Sequence, residues 1–424
     1  MGIGLAIAGA GPFAVRGRLV LGPGQPREAA RESARESAVI VDHGVVVAID
    51  SPVVPARLPP RCLDAAFVAP GFVDLQVNGG FGWEVGGDPG ALRALAQRLP
   101  ATGVTTFLPT LISAREEDYR RAFAAFRAAS AAAASGNDSP PIGARMPGMH
   151  LEGPLLAVAR AGAHETAPIE AATAAMLERL VDPLIVRLVT LAPERAGAMA
   201  LIASLKTRGV LTSLGHTDAP FDTFIQGVDA GATLATHLFN AMSPFHHRDP
   251  GATGAALIDD RLTALLIADG VHCHPAAFSL AARVKGPERL ALVTDAIAAA
   301  GLPPGPSTLA GRPVVVTETS ARLVAAGTEA SPLAGPLAGS ILTMDRAVRN
   351  AVTFAGVPAA TALSWASQVP ARAVGLAAAG RLAVGDPADI VLLDERLFVV
   401  ATIIGGVLAH SNAADEAHAR ALLD

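Results

Sequence analysis

Five residues able to bind a metal or move a proton, Glu152, His216, His237, His272 and Asp295, each stand at the end of an apolar, strand-like run. The runs are GMHLEGP (148–154), LTSLGHTDA (211–219), ATLATHLFNAM (232–242), LLIADGVH (265–272) and LALVTDA (290–296). A sixth, VTLAPE (189–194), closes on Glu194 in the same way. Buried strands finishing in such groups suit a parallel barrel, whose chemistry gathers at the carboxyl ends of its strands. Two imidazoles and a carboxylate form a catalytic metal set that leaves a fourth position for water, and His216, His237 and Glu152 supply it from three separate runs. Any one of them alone reads as a hydrogen-bonded strand-end residue; the three together point to a metal centre. Asp295 then stands where a carboxylate can take a proton from an acidified water and return it to a leaving nitrogen. Its place before AIAAA also suits a helix N-cap.

The elements that must position these residues can be counted. Candidate strands are FVDLQV (72–77), GVTTFLPT (103–110), RMPGMHLEG (145–153), VRLVTLA (186–192), GVLTSLGH (209–216), ATLATHLF (232–239), LTALLIAD (262–269) and RLALVTDA (289–296). They alternate with Ala-rich helical stretches, the pattern of βα units on a parallel sheet. Eight closes a barrel, so the expected fold is α/β, a TIM-like (β/α)8 barrel over residues 67–379. Short β-runs flank it: GRLVLG and AVIVDHGVVVAID before residue 66, and RLAVGDPADIVLLDERLFVVATIIGGVLAH (381–410) after it. Residues 1–66 and 380–424 are therefore expected to form a small β-sandwich domain from both termini. The charged stretch 25–37 reads as a solvated loop or short helix, and 129–143 as a surface connection.

Composition narrows the partners. At 424 residues the chain suits one barrel of about 250 residues plus a smaller unit. Hydrophobic residues reach 51% and mean hydropathy is +0.41, but Ala and Gly inflate both, and no apolar run of about 18 residues marks a membrane span. No Lys or Arg precedes the apolar start MGIGLAIAGAGPFAVRG, which reads as a first strand and not as a secretory signal. Cys62 and Cys273 are the only cysteines, which argues against a disulfide framework and for the cytoplasm. A net charge of −5 with scattered arginines gives no nucleic-acid footprint. The expected partner is a small molecule.

The segments PGFVDLQVNG, GMHLEGP, LGHTDA, ATHLFNAM, HHRDPG, IADGVH, LVTDA and LAGSILTMDRAVRN together resemble the N-acetylglucosamine-6-phosphate deacetylases of the amidohydrolase superfamily, from about residue 69 onward. GHTDA followed by THLFNAM is specific to them; PGFVD or GDPAD alone indicates only the superfamily. The resemblance implies hydrolysis of the acetamide of N-acetyl-D-glucosamine 6-phosphate to glucosamine 6-phosphate and acetate, in amino-sugar catabolism and cell-wall recycling. It implies that Glu152, His216 and His237 hold one divalent ion per subunit, zinc first, with iron, manganese or cobalt able to take the same donors. Asp295 is then the general base and acid, and His164 polarises the acetyl carbonyl. Asn240, the backbone at Ala241 and His272 contact the sugar phosphate, and the backbone around Leu337 faces the substrate. Arg248 reaches the phosphate site of the neighbouring subunit in a homodimer.

The first strand departs from the superfamily pattern. Where many relatives carry His-x-His, this chain has Gln76 and Asn78; neutral amides are poor metal ligands, so they are expected to order a water or a neighbouring ligand. One metal is expected, with Glu194 structural or a weak second-site ligand. The competing readings are an N-acetylgalactosamine-6-phosphate deacetylase, deamination or cyclic-amide hydrolysis on the same barrel, and a catalytically inactive amidohydrolase-like scaffold.

Overall fold

The computed structural model describes residues 11–20, 36–50, 59, 61–134, 143–324 and 335–412, so the 25–37 stretch lies outside the described residues except for its last two. Eight strands, Phe72–Val77, Val104–Leu111, Met149–Glu152, Val186–Leu191, Leu211–Leu214, Leu234–Ala235, Thr263–Leu266 and Leu290–Leu292, lie side by side in sequence order. Every neighbouring pair is parallel. A parallel bridge from Val77 to Ala296 joins the first strand to the end of the eighth, with Asp295 N–H donating to Gln76 O at 2.9 Å and Asn78 N–H to Ala296 O at 2.8 Å. The expected barrel is therefore present and closed. Strands buried on both faces are mostly apolar, and Phe72–Val77 is buried at every residue, Asp74 and Gln76 included.

Several ladders are shorter than their apolar runs, and the reason is chemical geometry at their ends. The backbone turns left-handed at His216 (φ 47°), His237 (φ 27°) and Asp295 (φ 50°). Such a conformation is costly for residues with a Cβ and clusters at functional sites. The chain leaves the sheet just before each of these residues, swinging its side chain over the barrel mouth.

Helices between the strands cover the barrel. Pro89–Arg98 begins with Asp88 accepting the Gly90 N–H at 2.7 Å and Pro89 in its first turn, and it buries Leu92 and Leu95 against the barrel core. Each fully buried side chain of this kind contributes about 1.5–3 kcal/mol. Glu116–Ala134 runs through the first six residues of the 129–143 stretch, so that part is helix and not a surface connection. Alanine has the highest helix propensity of any residue, and the Ala run extends the helix. No helix among the described residues is long and apolar enough to cross a membrane.

The two ends of the chain share one seven-stranded sheet, in the order Val407–Ser411, Val399–Ile404, Ile390–Leu393, Cys62–Pro70, Phe13–Leu19, Glu36–Asp42, Val45–Asp50. It folds over on itself as a sandwich does: Val46 N–H donates to Asp386 O at 2.9 Å, bringing the far edge back to the segment before Ile390. Phe13, Val15, Val39, Val41, Leu392 and Ile403 fill the space enclosed. Arg145, leading into the third barrel strand, donates to both oxygens of Asp389 at 3.0 and 3.1 Å and ties this sheet to the barrel.

A third sheet was not legible in the sequence. Gly305–Leu309, Arg312–Val316 and Ala321–Leu323 form an antiparallel meander after the eighth barrel strand. Its strands are short and set among Gly and Pro, so they read as loop.

Candidate metal centre and active site

Glu152 ends the third strand, and His216 and His237 lie just past the fifth and sixth. Closure of the barrel brings them together: Glu152 Oε1 lies 3.2 Å from His216 Nε2 and 2.9 Å from His237 Nε2, and the two Nε2 atoms are 3.1 Å apart. All three residues are buried. A carbonyl can only accept, so His216 Nδ1, 2.7 Å from the Arg160 carbonyl, carries the ring proton. His216 Nε2 then presents a lone pair to a carboxylate oxygen and a second imidazole nitrogen. Such a convergence of electron pairs fits a cation, and the carbonyl bond behind the ring is the usual orienting partner of a metal-binding histidine. Burial pushes the Glu152 carboxyl up, but His164, His216 and His237 outweigh it and hold the group well below its ordinary value.

The first-strand amides sit on the two carboxylates of the site. Gln76 Nε2 donates to Glu152 Oε1 at 2.9 Å, and Asn78 Nδ2 donates to Asp295 Oδ1 at 2.7 Å. Their own carbonyl oxygens, Gln76 Oε1 and Asn78 Oδ1, are buried and accept no hydrogen bond from the described residues. Asp295 is pushed up to about 8, first by burial and next by the charge of Glu152, with His237 and the Asn78 bond opposing. No helix follows it; Ala296 instead pairs with Val77 and Ser340, so the helix-cap reading of Asp295 fails. The strand register claims those backbone groups first.

His164 is placed by Ser113, whose N–H donates to Nδ1 at 3.1 Å while Oγ lies 2.8 Å from the same nitrogen. A backbone N–H only donates, so Nδ1 holds the lone pair and the proton is on Nε2, 3.7 Å from Glu152 Oε2. Burial, then the neighbouring His216, lowers this ring to about 4. His164 is a neutral donor aimed at the Glu152, His216 and His237 cluster.

The remaining expected residues divide. His272 is half-buried with Nδ1 2.6 Å from Asp269 Oδ2, and Asp269 also accepts the His272 and Val271 N–H groups at 2.8 Å. Asn240 donates to the His237 carbonyl at 3.1 Å, which steadies the turn after that residue, and Ala241 takes φ 51°. Leu337 is half-buried in a bridge to Arg322. A Cβ on nearby Gly339 would meet Ile297 Cγ2 at 2.8 Å and Asp295 O at 2.9 Å, so this segment backs directly onto Asp295. Arg248 is exposed and contacts His247 and not the cluster. Glu194 accepts from Thr217 Oγ1 at 2.5 Å and Asp218 N–H at 2.6 Å, anchoring the loop that carries His216.

Sequence reasoning missed four participants. Ser113 acts on His164, 51 residues away, which only the fold brings close, whereas the three-residue separation of Asp269 and His272 was a usable signal. His150 lies inside the barrel beneath Glu152, with Nε2 2.8 Å from Thr190 Oγ1 and Nδ1 3.0 Å from Leu75 O. Asp74, fully buried, accepts Thr294 Oγ1 at 2.6 Å and the Gln76 and Thr294 N–H groups at 3.2 Å; burial raises it to about 7 against those bonds. It straps the strand of Gln76 to the strand of Asp295.

The profile of the Amidohydrolase family matches residues 67–409. The human N-acetylglucosamine-6-phosphate deacetylase is 42% identical over 356 residues, 80% of this chain and 83% of that protein. The N-acetylgalactosamine-6-phosphate deacetylase of Escherichia coli O157:H7 is 37% identical over 390 residues, 90% of this chain and 98% of that protein. Among solved structures, a mutant N-acetyl-D-glucosamine-6-phosphate deacetylase from Mycobacterium smegmatis, in complex with N-acetyl-D-glucosamine-6-phosphate, superposes with a TM-score of 0.83 at 35% identity, covering 95% of this chain and 100% of that one. By these likenesses, and with Glu152, His216 and His237 clustered at the strand ends, the chain belongs to the N-acetylglucosamine-6-phosphate deacetylases of the amidohydrolase family.

Proposed function

We propose that this chain hydrolyses the acetamide of N-acetyl-D-glucosamine 6-phosphate, giving D-glucosamine 6-phosphate and acetate. The single observation behind this reading is the buried convergence of Glu152, His216 and His237, flanked by the Asp295 carboxylate and the Nε2–H of His164. A divalent ion held by the three clustered residues, zinc or one of its first-row neighbours, would supply Lewis acidity and a water acidic near neutral pH.

The protein's own groups do the rest. Asp295, held by Asn78, takes a proton from the water whose oxygen attacks the carbonyl carbon, and delivers it to the nitrogen as the C–N bond breaks. His164 donates from Nε2 to the carbonyl oxygen as charge develops there, and stays neutral because its buried ring resists protonation. Gln76 keeps Glu152 aimed at the ion. His272, oriented by Asp269, together with Asn240 and the backbone at Ala241 and Leu337, takes the sugar phosphate. Arg248, whose planar fork suits phosphate oxygens, stands free of the cluster, as it must to serve the neighbouring subunit of a homodimer. Residues 67–379 form the catalytic unit, with 1–66 and 380–424 as its support.

The test is metal analysis joined to acetate release from N-acetylglucosamine 6-phosphate, its unphosphorylated form and the galactosamine epimer. The phosphorylated gluco sugar should be the fastest. Equal rates with and without phosphate would remove the role of Arg248 and His272. Asp295→Asn should keep the metal and lose about 10²–10⁴ in kcat; a nearly active variant would remove Asp295 from the mechanism.

A further inference from the structure

The three-stranded sheet after the eighth barrel strand touches the neighbours of most groups that flank the metal ligands. Its core includes Ile297, two residues after Asp295, and Ala338, next to Gly339, and packs against Ile112 and Ala163, which precede Ser113 and His164. Polar bonds reinforce this. Glu84, in the hairpin that follows Asn78, accepts the Ala310 N–H, and Arg312 Nη1 donates to the Ala163 carbonyl at 2.7 Å.

His164 depends on such ties more than the metal ligands do. Glu152 ends a barrel strand, and His216 and His237 leave theirs within two residues, but His164 lies between the short turn Val158–Arg160 and the helix Thr166–Ala171, on no strand. Its side chain is gripped at Nδ1 by Ser113. Its own N–H bonds locally to the Ala161 carbonyl at 3.0 Å, and the Ala163 carbonyl just before it is held by Arg312, 149 residues from Ala163 in sequence.

We propose that Arg312 is a positioning residue that fixes His164 through the Ala163 carbonyl, so that the Nε2–H meets the substrate carbonyl. The proposal rests on the deacetylase reading above. Arg312 and Ala163 share the wall of a cavity of about 510 Å³ with Ser113 and Asn78. Water can therefore replace a lost guanidinium at the carbonyl and the fold survives, but water does not hold the loop at one distance. Misplacing a catalytic group by about 1 Å can cost about 10²-fold in rate.

The experiment is a double-mutant cycle on the metal-loaded enzyme, with Arg312→Ala and Arg312→Lys each made in the wild-type and His164→Asn backgrounds. In wild type, Arg312→Ala should lower kcat about tenfold or more, with metal content unchanged and KM within about twofold. Arg312→Lys, keeping one donor, should recover most of that loss. With His164→Asn, the same substitutions should change kcat by less than about twofold, because the group they place is gone. An equal loss in both backgrounds, or a loss carried by KM or metal content, overturns the proposal. If Arg312→Ala does not fold, Arg312→Met, which keeps the aliphatic stem and removes every donor, takes its place in the cycle. A wild-type enzyme releasing no acetate would refute the deacetylase reading instead, so the two failures are distinct.

Discussion

Replacing Gln76 with Leu should weaken metal binding by a defined amount while leaving the barrel intact. Gln76 is fully buried in the first strand, and its one side-chain bond among the described residues is from Nε2 to Glu152 Oε1 at 2.9 Å. Gln76 Oε1 accepts nothing from the described residues, so an apolar side chain of similar length leaves no donor stranded there. What disappears is one hydrogen bond to a charged acceptor, worth about 1.5–3 kcal/mol. The expected outcome is a drop in metal affinity of about 10- to 100-fold, the range seen when an orienting partner of a metal ligand is removed. Competition with a chelator of known affinity measures it, and activity restored by excess metal shows that the rest of the site persists. Unchanged affinity would refute the idea that Gln76 aims Glu152; loss of activity that excess metal does not restore would place Gln76 in the chemistry itself.

Asp74 should leave a pH signature in stability. Its folded carboxyl is raised from 3.8 to about 7 by burial, so between those values the folded state holds a proton that the unfolded state has lost. Unfolding free energy should therefore fall as pH rises through that window, by up to about 4 kcal/mol. The unfolding free energy of wild type relative to Asp74→Asn in urea titrations should fall as pH rises from 4 to 7; a constant difference would contradict the assignment. Gly339→Ala should cost about 1–3 kcal/mol because φ 71° disfavours a side chain and the new Cβ strikes Ile297 and the Asp295 carbonyl. Thermal unfolding and kcat should fall together, and an unaffected kcat would show that this segment does not support Asp295.

Much of this protein is legible in order along its chain. Strands buried on both faces are mostly apolar, so the barrel strands stand out as runs even where Asp74 and Gln76 interrupt the first, and a polar residue ending such a run, as Glu152, His216 and Asp295 do, is conspicuous. Chemistry at strand ends is thus written locally, in residue type and position, and so is the departure of Gln76 and Asn78 from a His-x-His pattern. The long Ala run after residue 128 misled because Ala suits helix and connection alike by composition, and the three-stranded sheet hid in short Gly- and Pro-rich segments.

Only the tertiary structure decides what each of these groups does to another. The proton of His164 rests on Nε2 because Ser113, 51 residues earlier, donates a backbone N–H to Nδ1. Asp295 is raised by burial and by Glu152, which lies 143 positions before it. Asn78 meets Asp295, and Arg312 meets Ala163, only because the barrel closes between its first and eighth strands and a small sheet spans the mouth. Tautomer, charge state and hydrogen-bond direction depend on distances of about 3 Å between residues remote in sequence. No local pattern encodes them, so sequence determined which groups this site contains and the fold determined their protonation and aim.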